Sequence, residues 1–217
     1  MLTRNARISI ALVAVFVLVV GGLLLLSRSE DKDPVAGTAA APAALVRPDS
    51  HRLSSADGDR VTFVEFLDFE CPACAAMHPA VEDLRREYDD RVTFVVRYFP
   101  LRSHFNAECA ARAVEAAAQQ DKFEPMYRRM FESQPEWGGQ RTPADDTFRG
   151  FAEDLGLDLD KFDAAYDAPE TLERVNADLA DGETLGIEGT PTFFVDGERL
   201  EPRSFDDLTD ALDAALG

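Results

Sequence analysis

The first apolar segment of the chain runs from Ile8 to Leu26. A helix of this length, rising about 1.5 Å per residue, spans the ~30 Å hydrocarbon core of a bilayer. Basic residues precede it and acidic residues follow it: Arg4 and Arg7 before, and Glu30, Asp31 and Asp33 after. The positive-inside rule predicts a single-pass anchor in the cell membrane, with residues 1–7 in the cytoplasm and the rest of the chain outside. A cleaved signal peptide is the alternative, but its apolar core would be unusually long.

Residues 27–48 are rich in Ala, Pro, Asp and Ser, and they offer too little apolar surface for a core. Pro34, Pro42 and Pro48 interrupt regular structure in this stretch. The composition predicts a flexible linker between the anchor and a folded domain over residues 49–217.

The first part of this domain shows a strand, a helix and a second strand in its apolar pattern. The first strand covers Arg60–Phe69 after the turn Asp57-Gly58-Asp59, the helix covers Pro72–Tyr88, and the second strand covers Arg91–Phe99. Proline suits the first turn of a helix because its missing N–H is not needed there. Such a βαβ unit predicts parallel strand pairing with a right-handed crossover.

From Phe105 to about Leu185 the pattern is helical almost throughout, and strand character then returns. Short strands at Thr192–Val195 and near Glu198–Leu200 flank a turn, and a helix from about Ser204 to Leu216 follows. The helices predicted in the middle region are 106–120, with Asn106 as its N-cap, 122–133, 146–155, 158–167 and 170–185. The expected fold class is therefore α/β, with an all-helical insertion over about residues 103–186.

The formal net charge of −19 limits the partners of the protein. So acidic a surface repels nucleic acids and anionic lipid headgroups, and no nucleic-acid partner is predicted. Its simplest role is to keep an exported domain soluble.

Two of the three cysteines, Cys71 and Cys74, lie where the first strand meets the following helix. A disulfide between them closes too small a loop to stabilise the fold much, so we expect the pair to act through its reactivity. Unpaired N–H groups at the helix N-terminus favour ionisation of the first thiol. Cys71 is then the nucleophile, and Cys74 is the resolving thiol that attacks the mixed disulfide.

A zinc site is the alternative interpretation of this cysteine pair, with Cys109 or His78 completing it. Structural zinc sites normally use two close pairs of ligands, and only one such pair is present, so no metal is predicted. Cys109 is instead expected to be a buried structural thiol. If exposed, it would be open to intermolecular pairing in an oxidising compartment. We assign His78 no role.

The segment Gly189-Thr190-Pro191-Thr192-Phe193-Phe194-Val195-Asp196-Gly197 has a proline at the start of an apolar strand. Proline cannot donate to the strand ladder, and it is confined to sheet edges, first residues or bulges. A cis Thr190–Pro191 bond in a tight loop is one way to place it there.

Together with Phe66-Leu67-Asp68-Phe69-Glu70-Cys71-Pro72-Ala73-Cys74, this segment resembles the active site of DsbA-like thiol–disulfide oxidoreductases of the thioredoxin-fold superfamily. The resemblance covers about residues 55–217, and the helical insertion fits it as well. It implies a thioredoxin fold in which Pro191 is cis beside a Cys71–Cys74 redox disulfide. It also implies that the backbone at Thr190 contacts the substrate.

The resemblance implies an enzyme that oxidises cysteine pairs in exported proteins and is recycled by a redox partner in the membrane. The Pro-Ala pair between the cysteines lacks the histidine of the most oxidising relatives, so a reductase or isomerase stays open as an alternative. An isomerase usually dimerises, and no dimerisation segment precedes the domain, so we expect a monomer. No cofactor is expected. A non-enzymatic binding module fits poorly with the intact Cys71 and Cys74.

Glu65 is the third candidate for a catalytic role, because it interrupts an otherwise apolar strand six residues before Cys71. A buried carboxylate beneath Cys74 would move protons to or from that thiol. The resemblance supports this interpretation, since the family often has an acidic residue at this position. An acid that faces the sheet edge is the alternative. Arg97, on the second strand, is the expected charge partner of Glu65.

Overall fold

The computed structural model describes residues 45–56 and 61–217. Within these ranges, no helix has the length and apolar character needed to cross a membrane. The predicted anchor at 8–26, most of the predicted linker and the turn at 57–59 lie outside the described residues.

Five strands and seven helices make up the described ranges. The strands are β1 His51–Arg52, β2 Val61–Leu67, β3 Val92–Tyr98, β4 Thr192–Val195 and β5 Glu198–Leu200. The helices are α1 Pro72–Glu87, α2 Ala107–Ala118, α3 Phe123–Trp137, α4 Asp145–Asp154, α5 Leu159–Asp167, α6 Pro169–Thr184 and α7 Asp206–Leu216. Each strand and helix predicted for the domain is present with somewhat shifted ends. The two-residue strand β1 was not predicted.

The strands form one sheet in the order β1-β3-β2-β4-β5. β2 and β3 are parallel, with Glu65 opposite Val96, and the remaining pairs are antiparallel. The parallel pair joined through α1 is the expected βαβ unit, and α2–α6 form the expected insertion between the two halves. The structure therefore confirms the α/β fold class with its helical insertion.

Successive residues of β2 point to opposite faces of the sheet, so this strand contributes to two apolar cores. The larger core joins the sheet to α1, α7 and helices of the insertion. The smaller core includes Val64 and Phe66 of β2, together with Leu45 from the segment before β1. Because β2 is buried on both faces, its end provides a rigid platform for the residues that follow it.

The packed domain begins earlier than the expected boundary at residue 49. Leu45 is buried in the smaller core, and its carbonyl oxygen accepts a hydrogen bond from Arg97 at 2.5 Å. The Arg47 guanidinium contacts the Asp181 carboxylate at 3.2 Å. Leu45 and Arg47 therefore pack with the domain.

Two helix ends in the insertion differ from expectation. α3 continues to Trp137 instead of ending at 133, although it contains Pro135. The Trp137 ring packs edge-on against Phe148 at 4.8 Å, and this tertiary contact outweighs the local cost of proline. Asn106 precedes α2 as predicted, but its side chain does not cap that helix. It instead binds the loop before α4, where its Oδ1 accepts a hydrogen bond from the Ala144 N–H at 3.1 Å.

Candidate active site

The two cysteines occupy the junction between β2 and α1. Cys71 is the N-cap residue of α1, and Pro72 takes the first helical position. Both cysteines are free thiols in this structure, and both are buried; the exposed fraction is 5% for Cys71 and 0% for Cys74. The first thiol therefore lies at the helix N-terminus, as predicted, and the second lies one turn further along.

The environment of Cys71 favours its thiolate. A hydrogen bond from the Cys74 thiol lowers the pKa of Cys71 to about 5, and the Thr190 side chain and the backbone N–H groups of Cys74 and Ala73 add to this effect against the opposing effect of burial. In the thiol form, Cys71 Sγ donates to the Thr190 carbonyl oxygen at 3.3 Å. The buried Thr190 hydroxyl has no hydrogen-bond partner within the described residues, so it is available as a donor to the thiolate.

Cys74 has the opposite tendency. Burial raises its pKa well above 9, and the hydrogen bond to Cys71 and the charge of Glu65 raise it further. At neutral pH the reduced site therefore holds one thiolate and one thiol. This division of roles is the one expected for a nucleophile and a resolving residue.

The loop that carries Thr190 and Pro191 lies against the nucleophile, as the hydrogen bond from Cys71 to Thr190 shows. The Thr190–Pro191 peptide bond is cis. Pro191 also lines an open groove whose other apolar walls come from α1, β4 and the segment before α7. Its lining residues are Met77, Pro191, Phe193, Pro202, Arg203, Ser204 and Phe205. The Phe205 side chain is half exposed there, so the groove offers an apolar surface next to the loop that contacts Cys71.

Glu65 is buried and faces the larger core. Burial raises its pKa to about 8, and the nearby charges of Glu82 and Cys71 contribute to the shift. Its own charge acts in turn on Cys74. The charge of Glu65 therefore acts on the resolving thiol, and its pKa of about 8 is in the range that suits proton transfer near neutral pH.

Arg97 is not the charge partner of Glu65. In the parallel register Glu65 pairs with Val96, whereas Arg97 pairs with Phe66, so the two charged side chains point to opposite faces of the sheet. The Arg97 guanidinium instead binds Asp178 at 2.7 Å and Asp181 at 2.6 Å, both on α6.

The buried Glu65 makes a testable contribution to stability. Its pKa rises from 4.5 to about 8 on folding, so the folded protein holds a proton that the unfolded chain releases between these values. The contribution of this protonated carboxyl group to the free energy of unfolding is complete below pH 4.5 and is lost as the pH rises through 8. We expect the stability of Glu65→Gln relative to the wild type to increase by about 4 kcal/mol between pH 5 and pH 9. Urea unfolding of the disulfide form, in which neither active-site thiol titrates, measures this difference.

The exposed acid Glu153 supplies a matched control. Glu153→Gln removes one carboxylate at the surface of α4, and its stability relative to the wild type should stay constant over the same pH range. If the stability difference between Glu65→Gln and the wild type changed with pH as little as that of the control, Glu65 would not be a buried carboxyl group that titrates in this range.

Three buried polar residues around the cysteines were not predicted from the sequence. Asp68 accepts hydrogen bonds from the backbone N–H of Glu70 at 2.8 Å and of Leu101 at 3.0 Å, and it contacts the His104 ring at 2.6 Å. Gln134 donates to the carbonyl oxygens of Phe69 and Cys71, and the Glu70 carboxylate accepts hydrogen bonds from backbone N–H groups of the insertion. Asp68 and Glu70 stand within the quoted active-site segment, and two acids in an apolar run were a signal that each needs buried partners.

The remaining sequence candidates contact other parts of the domain. His78 packs on the Phe131 ring at 4.8 Å, with the Tyr127 hydroxyl at 3.2 Å from its Nδ1. Cys109 is a free thiol that packs against the larger core but is only partly buried, whereas a buried thiol was expected. Within residues 45–56 and 61–217, no group of three or more His, Cys, Asp or Glu side chains is arranged to hold a metal ion.

A site that keeps one thiol ionised and its neighbour protonated is suited to the exchange of disulfides with thiols of another molecule. The fold and the site therefore define a thiol–disulfide oxidoreductase. A thioredoxin family model matches residues 57–214 of the chain. The structure of a thioredoxin-like oxidoreductase from Silicibacter pomeroyi DSS-3 is similar at 30% identity with a TM-score of 0.68, and the match covers 81% of this chain and 98% of that one. The chain belongs to the thioredoxin family.

Two further similar proteins differ in how much of their own length the match covers. The oxidised structure of BdbD from Bacillus subtilis shares the fold, with a TM-score of 0.69 at 21% identity over 77% of this chain and 92% of that one. The Na(+)/H(+) antiporter NhaA of Herminiimonas arsenicoxydans is 35% identical over 202 residues, which are 92% of this chain but 31% of the antiporter. The chain thus spans about a third of the length of this curated relative, and the antiporter activity is not carried over to it.

Proposed function

We propose that the protein oxidises cysteine pairs in exported proteins by donating a disulfide between Cys71 and Cys74. The low pKa of Cys71, about 5, carries this proposal. A stabilised thiolate favours the reduced dithiol form over the disulfide, so the disulfide is readily given away. A thiol with an ordinary pKa would lack this driving force.

The reaction balances within the site. A substrate thiolate attacks Cys71 Sγ of the disulfide, a mixed disulfide forms, and Cys74 leaves with the electron pair and takes up a proton. A second substrate thiolate then attacks the substrate sulfur of the mixed disulfide and releases Cys71 as a thiolate. The enzyme disulfide gains two electrons, and the substrate dithiol loses two. The high pKa of Cys74 and the nearby Glu65 support the proton uptake, and the low pKa of Cys71 supports its departure.

The groove beside Pro191 supports a polypeptide substrate. Its apolar walls at Met77, Pro191 and Phe205 lie next to the loop that contacts Cys71. An unfolded chain presents apolar side chains on both sides of its cysteines, and such a groove would bind them during the exchange. Thr190 would contact the backbone of the segment that carries the substrate cysteine.

The location and the recycling of the enzyme belong to the same proposal. The apolar segment 8–26, with Arg4 and Arg7 before it, would anchor the chain in the cell membrane and leave residues 45–217 outside the cytoplasm. Disulfides persist in such compartments. A redox partner in the membrane would then accept the two electrons from Cys71 and Cys74.

The reduction potential of the Cys71–Cys74 pair tests the direction of electron flow. The full chain is equilibrated with mixtures of reduced and oxidised glutathione, and the oxidised fraction is read by mass after the free thiols are blocked. We expect a potential between those of protein disulfide isomerase and DsbA, about −180 and −120 mV. A value near that of thioredoxin, about −270 mV, would overturn the oxidase and favour a reductase. Cys109→Ser serves as the control, because it removes the third thiol without altering the pair.

A further inference from the structure

The backbone directly before α1 is bound by a glutamine from the helical insertion. The Gln134 side-chain amide donates to the Phe69 carbonyl oxygen at 2.8 Å and to the Cys71 carbonyl oxygen at 2.9 Å. Gln134 is on α3, and its side chain is almost completely buried, with an exposed fraction of 7%. Both hydrogens of the amide are thus used on one loop, on either side of Glu70.

Glu70 is bound by the same insertion. Its carboxylate accepts hydrogen bonds from the backbone N–H groups of Asn106, at 2.5 Å, and of Gly139, at 3.1 Å. Asn106 precedes α2 and Gly139 follows α3, so the donors come from two parts of the insertion. Three consecutive residues that end at Cys71 are therefore held by groups outside the βαβ unit.

The end of α3 leaves room for the Gln134 side chain. Gly138 donates its backbone N–H to the Gln134 carbonyl oxygen at 2.7 Å. A Cβ at position 138 would lie 2.9 Å from that oxygen and 3.0 Å from Gln134 Cγ, so the absence of a side chain at Gly138 permits this close approach. The burial of Gln134 and its two hydrogen bonds to the loop preorganise its amide to donate in one direction.

We propose that Gln134 is a positioning residue that keeps Cys71 in its reactive, ionised state. The carbonyl group of Cys71 also accepts the N–H of Ala75 at 3.1 Å, as the first bond of α1. Carbonyl oxygens carry partial negative charge, and when they lie close to a thiolate they raise its energy unless donors compensate them. The amide of Gln134 compensates two of these oxygens and fixes the sulfur at the helix N-terminus. The inference depends on the proposed function only in taking Cys71 as the nucleophile.

The ionisation of Cys71 in the full-length chain tests this role. The pH dependence of its alkylation by iodoacetamide is compared between the wild type and Gln134→Met, which retains the length of the side chain but has no amide. We expect the ionisation constant of Cys71 to fall about three- to tenfold, which corresponds to the loss of one or two neutral hydrogen bonds. The titratable groups near Cys71 include Cys74 on α1, Glu65 on β2 and the acids Asp68 and Glu70 of the loop before α1, and the variant replaces none of them.

Gln140 provides the matched control. It lies exposed in the same insertion, and its amide donates to the Glu136 carbonyl oxygen at 2.6 Å, away from the cysteine loop. Gln140→Met should leave the alkylation profile unchanged. If Gln134→Met lowers the melting temperature but leaves the Cys71 midpoint at its wild-type value, the glutamine is only structural and the proposal fails.

A second variant covers the case in which Gln134→Met does not fold. Gln134→Asn keeps an amide that is one methylene too short to reach both carbonyl oxygens, and it should raise the Cys71 midpoint in the same direction. An unchanged midpoint in this variant would also overturn the proposal. Because alkylation needs no redox partner, either result is independent of whether the measured potential is oxidising or reducing.

Discussion

Replacing Cys71 by serine is expected to abolish disulfide exchange, whereas replacing Cys74 should stop the reaction after its first step. A hydroxyl group cannot form the mixed disulfide, so Cys71→Ser should show no exchange above the uncatalysed rate in a single-turnover assay with a dithiol peptide. In Cys74→Ser, the Cys71 thiolate remains able to attack a disulfide substrate. The covalent adduct should then accumulate, because no resolving thiol releases it.

The different environments of the two thiols determine this asymmetry. Cys71 ionises at a pKa of about 5, whereas burial keeps Cys74 protonated. Intact-protein mass spectrometry after reaction with a disulfide-bonded peptide distinguishes the two variants, since only Cys74→Ser should gain the mass of the peptide. Cys109→Ser is the control and should react like the wild type. Undiminished exchange by Cys71→Ser would refute the assignment of the enzyme.

Much of the fold could be predicted from local patterns in the sequence. The apolar runs of β2 and β3 and the proline at the start of α1 are features of a few neighbouring residues, and so their elements were found. β1 was missed because two residues have no recognisable period. His51 and Arg52 become a strand only by pairing with Val96 and Val95. The end of α3 was misplaced for a related reason, since the contact of Trp137 with Phe148 cannot be seen in the local sequence.

The site residues also divide into those marked by a local motif and those placed by tertiary contacts. Cys71, Cys74 and Pro191 stand in motifs with fixed spacing, and Glu65 is conspicuous as an acid within an apolar strand. Gln134 has no such signal, because it lies 63 positions from Cys71 and one residue past the predicted helix end. Arg97 shows the limit of reasoning from one strand at a time. Its partner was sought on the neighbouring strand, although the register turns the side chain towards α6 on the other face of the sheet.

The substitution of Asp178, a buried ionic partner of Arg97, is expected to cause the largest loss of stability. Asp178 is fully buried, and its carboxylate binds Arg97 Nε at 2.7 Å, Arg174 at 2.6 Å and the Tyr98 backbone N–H at 3.0 Å. It thereby joins α6 to the end of β3. Removing one member of a buried ionic network costs more than the network contributes as a whole, because the remaining charges stay in a medium of low polarity.

We therefore expect Asp178→Ala to lower the free energy of unfolding by about 3–5 kcal/mol, measured by urea denaturation. The exposed pair between Asp163 and Arg149, at 2.9 Å, gives a control of the same chemistry. Asp163→Ala should cost no more than about 1 kcal/mol, because water screens both of its charges. The alkylation profile of Cys71 should be unchanged in the folded fraction of both variants, since Asp178 acts on α6 and β3 and not on the loop before α1. If both variants lost the same free energy of unfolding, the buried carboxylate of Asp178 would contribute no more to stability than the exposed one of Asp163.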